Sequence, residues 1–238
     1  MNIHTKTIEL YADGPNINEI NKNFGIKIDG YTFNPSLFKK NGAKDYINYC
    51  KQILEECTSK PVSFEVFSDD EKGMIKQAEI LSNLGKNIYV KIPITYTNGQ
   101  STSKVIQNLV DQNIKLNITA IFVMEQIQDI IKIVKNSEAI LSIFAGRIYD
   151  CGFDAKKELT TMNKFIKDNS NCKSLWASTR MAYDYINAKE IETNIITMQT
   201  SHIEKLKMLG TDLKKYSLDT VKQFYQDAKS SNFKILKS

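Results

Sequence analysis

The run NIYVKIP, residues 87–93, reads as a strand buried on one face, yet it carries a lysine near its C-terminal end. Taking an ammonium out of water is expensive, so Lys91 is either a paired structural charge or an amine held neutral for nucleophilic attack. Other apolar runs carry polar groups in comparable places: Asp13 in TIELYAD, Glu65 in PVSFEVF, Asn117 and Thr119 in IKLNITAIF, Ser142 and Arg147 in AILSIFAGRI, Ser178 and Arg180 in and just after KSLWAST. An amine among carboxylates and amides, in a partly dry enclosure, can attack a carbonyl and form a Schiff base. Asp13 suits a general base toward a substrate hydroxyl, and Glu65 suits proton movement through a water as a carbinolamine forms and breaks down. Arg147 and Arg180, with Ser178, suit a phosphate, because guanidinium forks bind its oxygens through charge-assisted hydrogen bonds. Asn34 and Asn117 can satisfy neutral hydroxyls. Each group also has a plain structural reading: Asp13 as a turn former before Gly14-Pro15, Glu65 as an ion-pair partner of Lys91, Arg147 as a bridge to Asp150, and Tyr11, Phe144 and Trp176 as core or pocket wall. Taken together these readings leave phosphate-type and hydroxyl-type groups unexplained.

The elements that must position these residues follow from periodicity. Eight short apolar runs, TIELYAD, IKIDGYTF, PVSFEVF, NIYVKIP, IKLNITAIF, AILSIFAGRI, KSLWAST and TNIITMQ, alternate with segments of helical spacing such as DYINYCKQILEEC, EKGMIKQAEILSNLG, SKVIQNLVDQN, EQIQDIIKIVKN and KELTTMNKFIKDN. Repeated βα units at this chain length predict an α/β fold, a (β/α)8 TIM barrel, rather than an open doubly wound sheet with a glycine-rich phosphate loop. A last segment, residues 217–238, predicts a helix with Val221, Phe224, Tyr225 and Ala228 on one face, left over once the barrel is complete. It is expected to cap the barrel or to meet a neighbouring subunit in a homo-oligomer. The expected organisation is a single domain over 1–238 with 217–238 as a helical extension.

Strand alternation divides each run into two faces. Tyr89 and Lys91 are expected to face the axis, with Ser63 and Glu65, with Glu9, Tyr11 and Asp13, with Asn117 and Thr119, and with Ser142 and Phe144. In KSLWAST the same sorting sends Leu175, Ala177 and Thr179 outward and Trp176, Ser178 and Arg180 inward. The polar members fall at the C-terminal strand ends, the rim where barrels of this type build their sites.

Composition narrows the function class. The chain has 238 residues, 42% of them hydrophobic, and a formal net charge of +5. That charge is scattered, which gives a nucleic-acid role little support. No signal core opens the chain and no window approaches the roughly eighteen apolar residues that span a bilayer, so the expected location is cytoplasmic, with no membrane partner. Cys50, Cys57, Cys151 and Cys172 are widely spaced and suit reduced thiols, and His4 and His202 are too few and too separated for a metal site.

These residues, in this order, resemble the transaldolase family, its short members and the related fructose-6-phosphate aldolases. GYTFNPSL is similar to the second-strand motif GxTTNPSL, SFEV to the third-strand glutamate motif, VKIPIT to the Schiff-base lysine motif, LNITAIF to the NxT strand, LSIFAGRIYD to SPFVGRxxD, and WASTR to the ASxR phosphate strand. The resemblance implies that Lys91 forms the Schiff base, that Asp13 is the general acid/base at carbon–carbon cleavage, and that Glu65 and Thr119 hold the catalytic water. It further implies that Asn34, Asn117 and Ser142 bind the dihydroxyacetone portion, beside Phe144, and that Arg147, Ser178 and Arg180 bind the phosphate. It implies a barrel without metal or cofactor that acts on small-molecule sugar phosphates of the pentose phosphate pathway. The reaction would be transfer of dihydroxyacetone from sedoheptulose 7-phosphate or fructose 6-phosphate to an aldose phosphate.

Two alternatives stand beside that expectation: a fructose-6-phosphate aldolase-like enzyme that releases dihydroxyacetone, and a non-catalytic barrel that binds a sugar phosphate. The aldolase subgroup carries Gln and Tyr where this chain has Glu65 and Phe144. Phe33 replaces the second threonine of the TTNP motif, Gly14-Pro15 follows the aspartate where Thr and a small residue are usual, and Ile143 replaces the proline of SPF. Phe33, next to Asn34 in sequence, is expected to reshape the donor pocket.

Overall fold

The structure is a computed structural model that describes residues 7–231 and 233–235; His4, and Asn232 and the last three residues of the expected C-terminal helix, lie outside them. Eight parallel strands close on themselves in sequence order: β1 Glu9–Asp13, β2 Gly30–Thr32, β3 Val62–Glu65, β4 Ile88–Pro93, β5 Leu116–Ile121, β6 Ala139–Ile143, β7 Lys173–Trp176 and β8 Ile195–Met198. With helices between the strands this is the expected (β/α)8 barrel. The helices are α1 Ile17–Ile20, α2 Pro35–Lys40, α3 Tyr46–Glu56, α4 Glu71–Ser82, α5 Ser103–Asp111, α6 Met124–Val134, α7 Ala145–Asp150, α8 Ala155–Asn169, α9 Asp184–Glu190, α10 Thr200–Lys205 and α11 Leu213–Ser230. Several begin at side-chain caps that satisfy otherwise unpaired amides: Asp45 accepts from Asn48 at 2.6 Å and Asp70 from Gly73 at 2.8 Å.

Packing divides the chain into two units, Met1–Glu204 and Lys205–Ser238. The first holds the barrel. In the second, α11 is capped by Asp212, begins ahead of the expected Ser217, and buries none of its residues. No helix among the described residues is long and apolar enough to cross a membrane.

The barrel is packed in two shells. Tyr11, Ile140, Leu175, Ala177 and Ile195 form a buried cluster on the axis, with Tyr89 and Phe144 against it. Outside the sheet, Phe33 stacks on Phe64 and Phe38 meets both edge-on, with ring centroids 5.5 to 6.0 Å apart. Both faces of the strands are therefore apolar over much of their length, as closed parallel sheets require. That double burial corrects the expected division of β7. Leu175 and Ala177 point to the axis, whereas Trp176 lies outside against Tyr149 of α7, centroids 6.2 Å apart. Alternation fixes which residues share a face, and two equally apolar faces give no sign of which one turns inward.

The run AILSIFAGRI also departs from expectation. Its strand ends at Ile143, and Ala145–Asp150 form a helical turn that carries Arg147.

Candidate active site

Register brings the site together. Across the sheet Asp13 is level with Thr32, Glu65 with Lys91, and Lys91 with Asn117. Parallel strands with matched C-terminal ends thus deliver side chains from several strands to one mouth. A cavity of about 210 Å³ opens there, lined by Asp13, Asn34, Lys91, Thr119, Ser142, Phe144, Arg147, Ser178 and Arg180. Larger hollows elsewhere, of about 620 and 700 Å³, are lined by groups such as Leu54, Pro61 and Lys86 or Asn163, Lys167 and Glu192, and neither gathers a buried amine with carboxyls.

Lys91 is only 5% exposed, and its Nζ lies 3.0 Å from Glu65 Oε2. The plain structural reading of Glu65 as an ion-pair partner is therefore met, and the same contact places a proton acceptor against the amine. Glu65 is itself held from behind. The Tyr46 hydroxyl donates to its backbone carbonyl at 2.7 Å and accepts from its backbone amide at 3.1 Å. Burial pushes the Asp13 carboxyl above the ordinary carboxylate range; the charge of Lys91 and the Thr32 hydroxyl oppose that shift, and the charge of Glu65 adds to it. An acid that keeps its proton more readily than usual suits a group that must both take and return one.

Asn117 and Glu65 do not line the cavity itself. Asn117 is fully buried; its amide donates to Ser63 Oγ at 3.0 Å and its carbonyl accepts from Ser142 Oγ at 2.6 Å. It braces Ser142 from below. Thr119 Oγ1 is buried with no hydrogen-bond partner among the described residues. Asn34 Oδ1 caps α2 by accepting from Leu37 at 2.9 Å, with Pro35 in the first turn, so its amide is the end left for a ligand.

The basic edge comes from α7 and the segment after β7. Ser178 has a positive φ of 63°, which breaks alternation and lets Ala177, Ser178, Thr179 and Arg180 all reach the mouth. Gly146 makes room for it: a Cβ there would sit 1.6 Å from the Ser178 carbonyl oxygen. The expected bridge of Arg147 to Asp150 is not formed. Asp150 takes Arg180 in a bidentate pair, with Nε to its two oxygens at 3.1 and 3.2 Å and Nη2 also bonded, while Arg147 lies over the Phe144 ring at 5.7 Å. Arg180 in turn holds the Asp150 carboxyl below its ordinary range.

The departures from the family motif have physical accounts. Phe33 is fully buried in the outer aromatic stack and does not line the cavity, so the expected reshaping of the pocket is corrected. Its neighbours in sequence, Thr32 and Asn34, are the ones that face inward. Ile143 is likewise buried on the outer face. Gly14 adopts φ +60°, and Leu37 of α2 fills the space where a side chain would stand, 2.7 Å from an added Cβ. Thr32, Thr197 and Gln199 line the mouth without having been singled out; Thr197 stands level with Tyr11, in step with the inward row of β1.

Fold and site together define a (β/α)8 barrel whose C-terminal mouth collects an amine, two carboxyls and two guanidiniums. Residues 10–235 match the family described as Transaldolase/Fructose-6-phosphate aldolase. Similar proteins include the Probable transaldolase of Sulfurihydrogenibium sp. (strain YO3AOP1), 35% identical over 84% of this chain and 88% of that protein, and that of Thermoplasma volcanium, 32% identical over 84% and 87%. Among solved structures, dihydrodipicolinate synthase from Rhodopseudomonas palustris superposes with a TM-score of 0.53 at 10% identity, covering 95% of this chain and 81% of that one, a likeness of fold alone. The chain belongs to the transaldolase/fructose-6-phosphate aldolase family, whose members are enzymes of sugar-phosphate chemistry.

Proposed function

We propose that the protein is a transaldolase working through a Schiff base on Lys91, with a ketose phosphate as donor and an aldose phosphate as acceptor. The observation that carries this reading is the buried Lys91 Nζ, 3.0 Å from Glu65, at a mouth shared with Asp13, Arg147 and Arg180. In the proposed cycle Glu65 takes a proton from the amine, which attacks C2 of the donor, and a water held by Glu65 and Thr119 carries protons as the carbinolamine loses water. Asp13 removes the C4 hydroxyl proton, the C3–C4 bond breaks, and its electron pair passes into the iminium to leave an enamine. The aldose phosphate so formed leaves, and the enamine attacks the acceptor aldehyde while Asp13 returns its proton to the new hydroxyl. Water then hydrolyses the iminium to release the product ketose phosphate and free Lys91. Asn34 and Ser142, the latter braced by Asn117, would hold the dihydroxyacetone hydroxyls, with Phe144 as wall, and Arg147, Ser178 and Arg180 would hold the phosphate. The enzyme would act in the cytoplasm, and the exposed Leu213, Val221 and Phe224 of α11 favour assembly with further copies of the chain.

Borohydride reduction in the presence of fructose 6-phosphate, followed by mass spectrometry, is expected to give a dihydroxyacetone adduct on Lys91 that Lys91→Met lacks. Absence of an adduct from folded protein with any ketose phosphate would overturn the reading. Glu65 and Phe144, in place of Gln and Tyr, favour transfer over release. Product formation should therefore depend on added erythrose 4-phosphate, whereas acceptor-independent release of dihydroxyacetone would identify an aldolase.

A further inference from the structure

Thr197 on β8 has no part in the chemistry proposed above, yet it stands two hydrogen bonds from its acid/base group. Its hydroxyl is 2.6 Å from that of Thr32 on β2, which lies 2.7 Å from Asp13 Oδ1 on β1. Both threonines are buried, and both line the mouth. Since β2 and β8 flank β1 on opposite sides, this contact crosses inside the barrel over the strand that carries Asp13.

Each hydroxyl has a single proton. When Asp13 is a carboxylate it can only accept, so Thr32 gives its proton to Oδ1, and the contact between the threonines then requires Thr197 to donate to Thr32. When Asp13 holds a proton on Oδ1, the chain reverses: Asp13 donates to Thr32 and Thr32 to Thr197. The direction of the chain therefore follows whether Oδ1 carries a proton, and a proton held on Oδ2 leaves it unchanged. Oδ2 has no hydrogen bond to the described residues, which leaves it for a ligand.

We propose that Thr197 is a positioning residue which, through Thr32, fixes Asp13 Oδ1 and favours the carboxylate, leaving Oδ2 to exchange a proton with the substrate. This rests on the reading of Asp13 as the acid/base group. The other charged groups that face or share the mouth are Lys91 on β4, Glu65 on β3, Arg147 on α7 and Arg180 beyond β7. The Thr32 hydroxyl joins Lys91 in restraining the upward shift that burial imposes on Asp13. A purely structural brace between β2 and β8 would leave the titration of Asp13 where it is.

The test is a carboxyl 13C NMR titration of aspartate-labelled protein, with Asp13 assigned by its absence in Asp13→Asn, alongside pH profiles of kcat/KM. The loss of one hydrogen bond to a charged group is expected to raise the Asp13 midpoint by about one unit in Thr32→Val, and the loss of its supporting donor by about half a unit in Thr197→Val. Thr197→Ser should restore the wild-type value, and the acid limb of kcat/KM should move with each midpoint. An unmoved midpoint in folded Thr197→Val, or an equal shift in Thr197→Ser, overturns the proposal. Should Thr197→Val fail to fold, Thr197→Cys, of similar size but a weak donor, carries the same expectation. A shifted midpoint in a protein that traps no ketose phosphate refutes the catalytic reading and leaves the hydroxyl control of Asp13 standing. Trapping by wild type with an unmoved midpoint refutes the control alone.

Discussion

Burial of the Asp13 carboxyl makes the stability of the fold depend on pH. It holds this carboxyl above the ordinary carboxylate range in the folded barrel, whereas in the unfolded chain the group ionises as an ordinary carboxylate. Below that range both states hold the proton and stability is whole; as pH rises through the folded midpoint, the unfolded chain ionises first and stability falls. Asp13→Asn mimics the neutral acid. It is therefore expected to melt higher than wild type at pH 7 to 8, to lose that advantage as pH approaches 4, and to lower kcat by about 100-fold or more. Calorimetry across pH would show the crossover, and a variant less stable than wild type at neutral pH would refute the account. At this scale Lys91, Asp13 and Glu65 were legible because each interrupts an apolar row, which physics discourages without a reason. Thr32 and Thr197 were not, since two hydroxyls from strands far apart in sequence mean nothing until the barrel closes. Phe33 was misjudged for a related reason: its sequence neighbour Asn34 faces the other side of the sheet.

Between elements, the tightest constraint on the basic edge is the approach of α7 to the segment after β7. Gly146 has no side chain, and the Ser178 carbonyl occupies the space one would need. Gly146→Ala must push that segment away, and Ser178 and Arg180 with it. Overpacking of this kind costs about 1–3 kcal/mol. The expected phenotype is a lower melting temperature together with about a tenfold or greater rise in KM for a sugar phosphate, while Lys91 remains trappable at saturating donor. Equal KM in the variant would show that the close approach does not position Ser178 and Arg180 for a phosphate. The sequence displayed the residues of this edge but not its geometry. Alternation misjudged β7 because both of its faces are apolar, and the short turn of α7 was hidden inside an apolar run whose first half is a strand. Its helical turn owes its place to Ile148 and Ala145 packing beneath it, a tertiary reason that local pattern does not display.

At the scale of the whole molecule, the barrel was readable because its signal is repeated: eight apolar runs and the helices between them agree, so one misjudged face leaves the architecture intact. Closure is the long-range part. β1 pairs with β8 along residues 9–12 and 195–198, joining the two ends of the barrel segment and completing the mouth. A ligand held by Arg147 and Arg180 on one side and Lys91 on another is then bound only by the closed form, and binding must stabilise it by mass action. Trp176 is the single tryptophan, fully buried outside the sheet against α7 and absent from the cavity lining, so its fluorescence reports unfolding without touching the ligand. In urea titrations, fructose 6-phosphate at a hundred times its Kd is expected to raise the unfolding free energy by about 2.7 kcal/mol. The Arg147→Ala, Arg180→Ala double variant should show little of that gain at the same concentration, while Lys91→Met, which keeps both arginines, should retain part of it. An equal gain in wild type and the double arginine variant would place the phosphate elsewhere on the molecule.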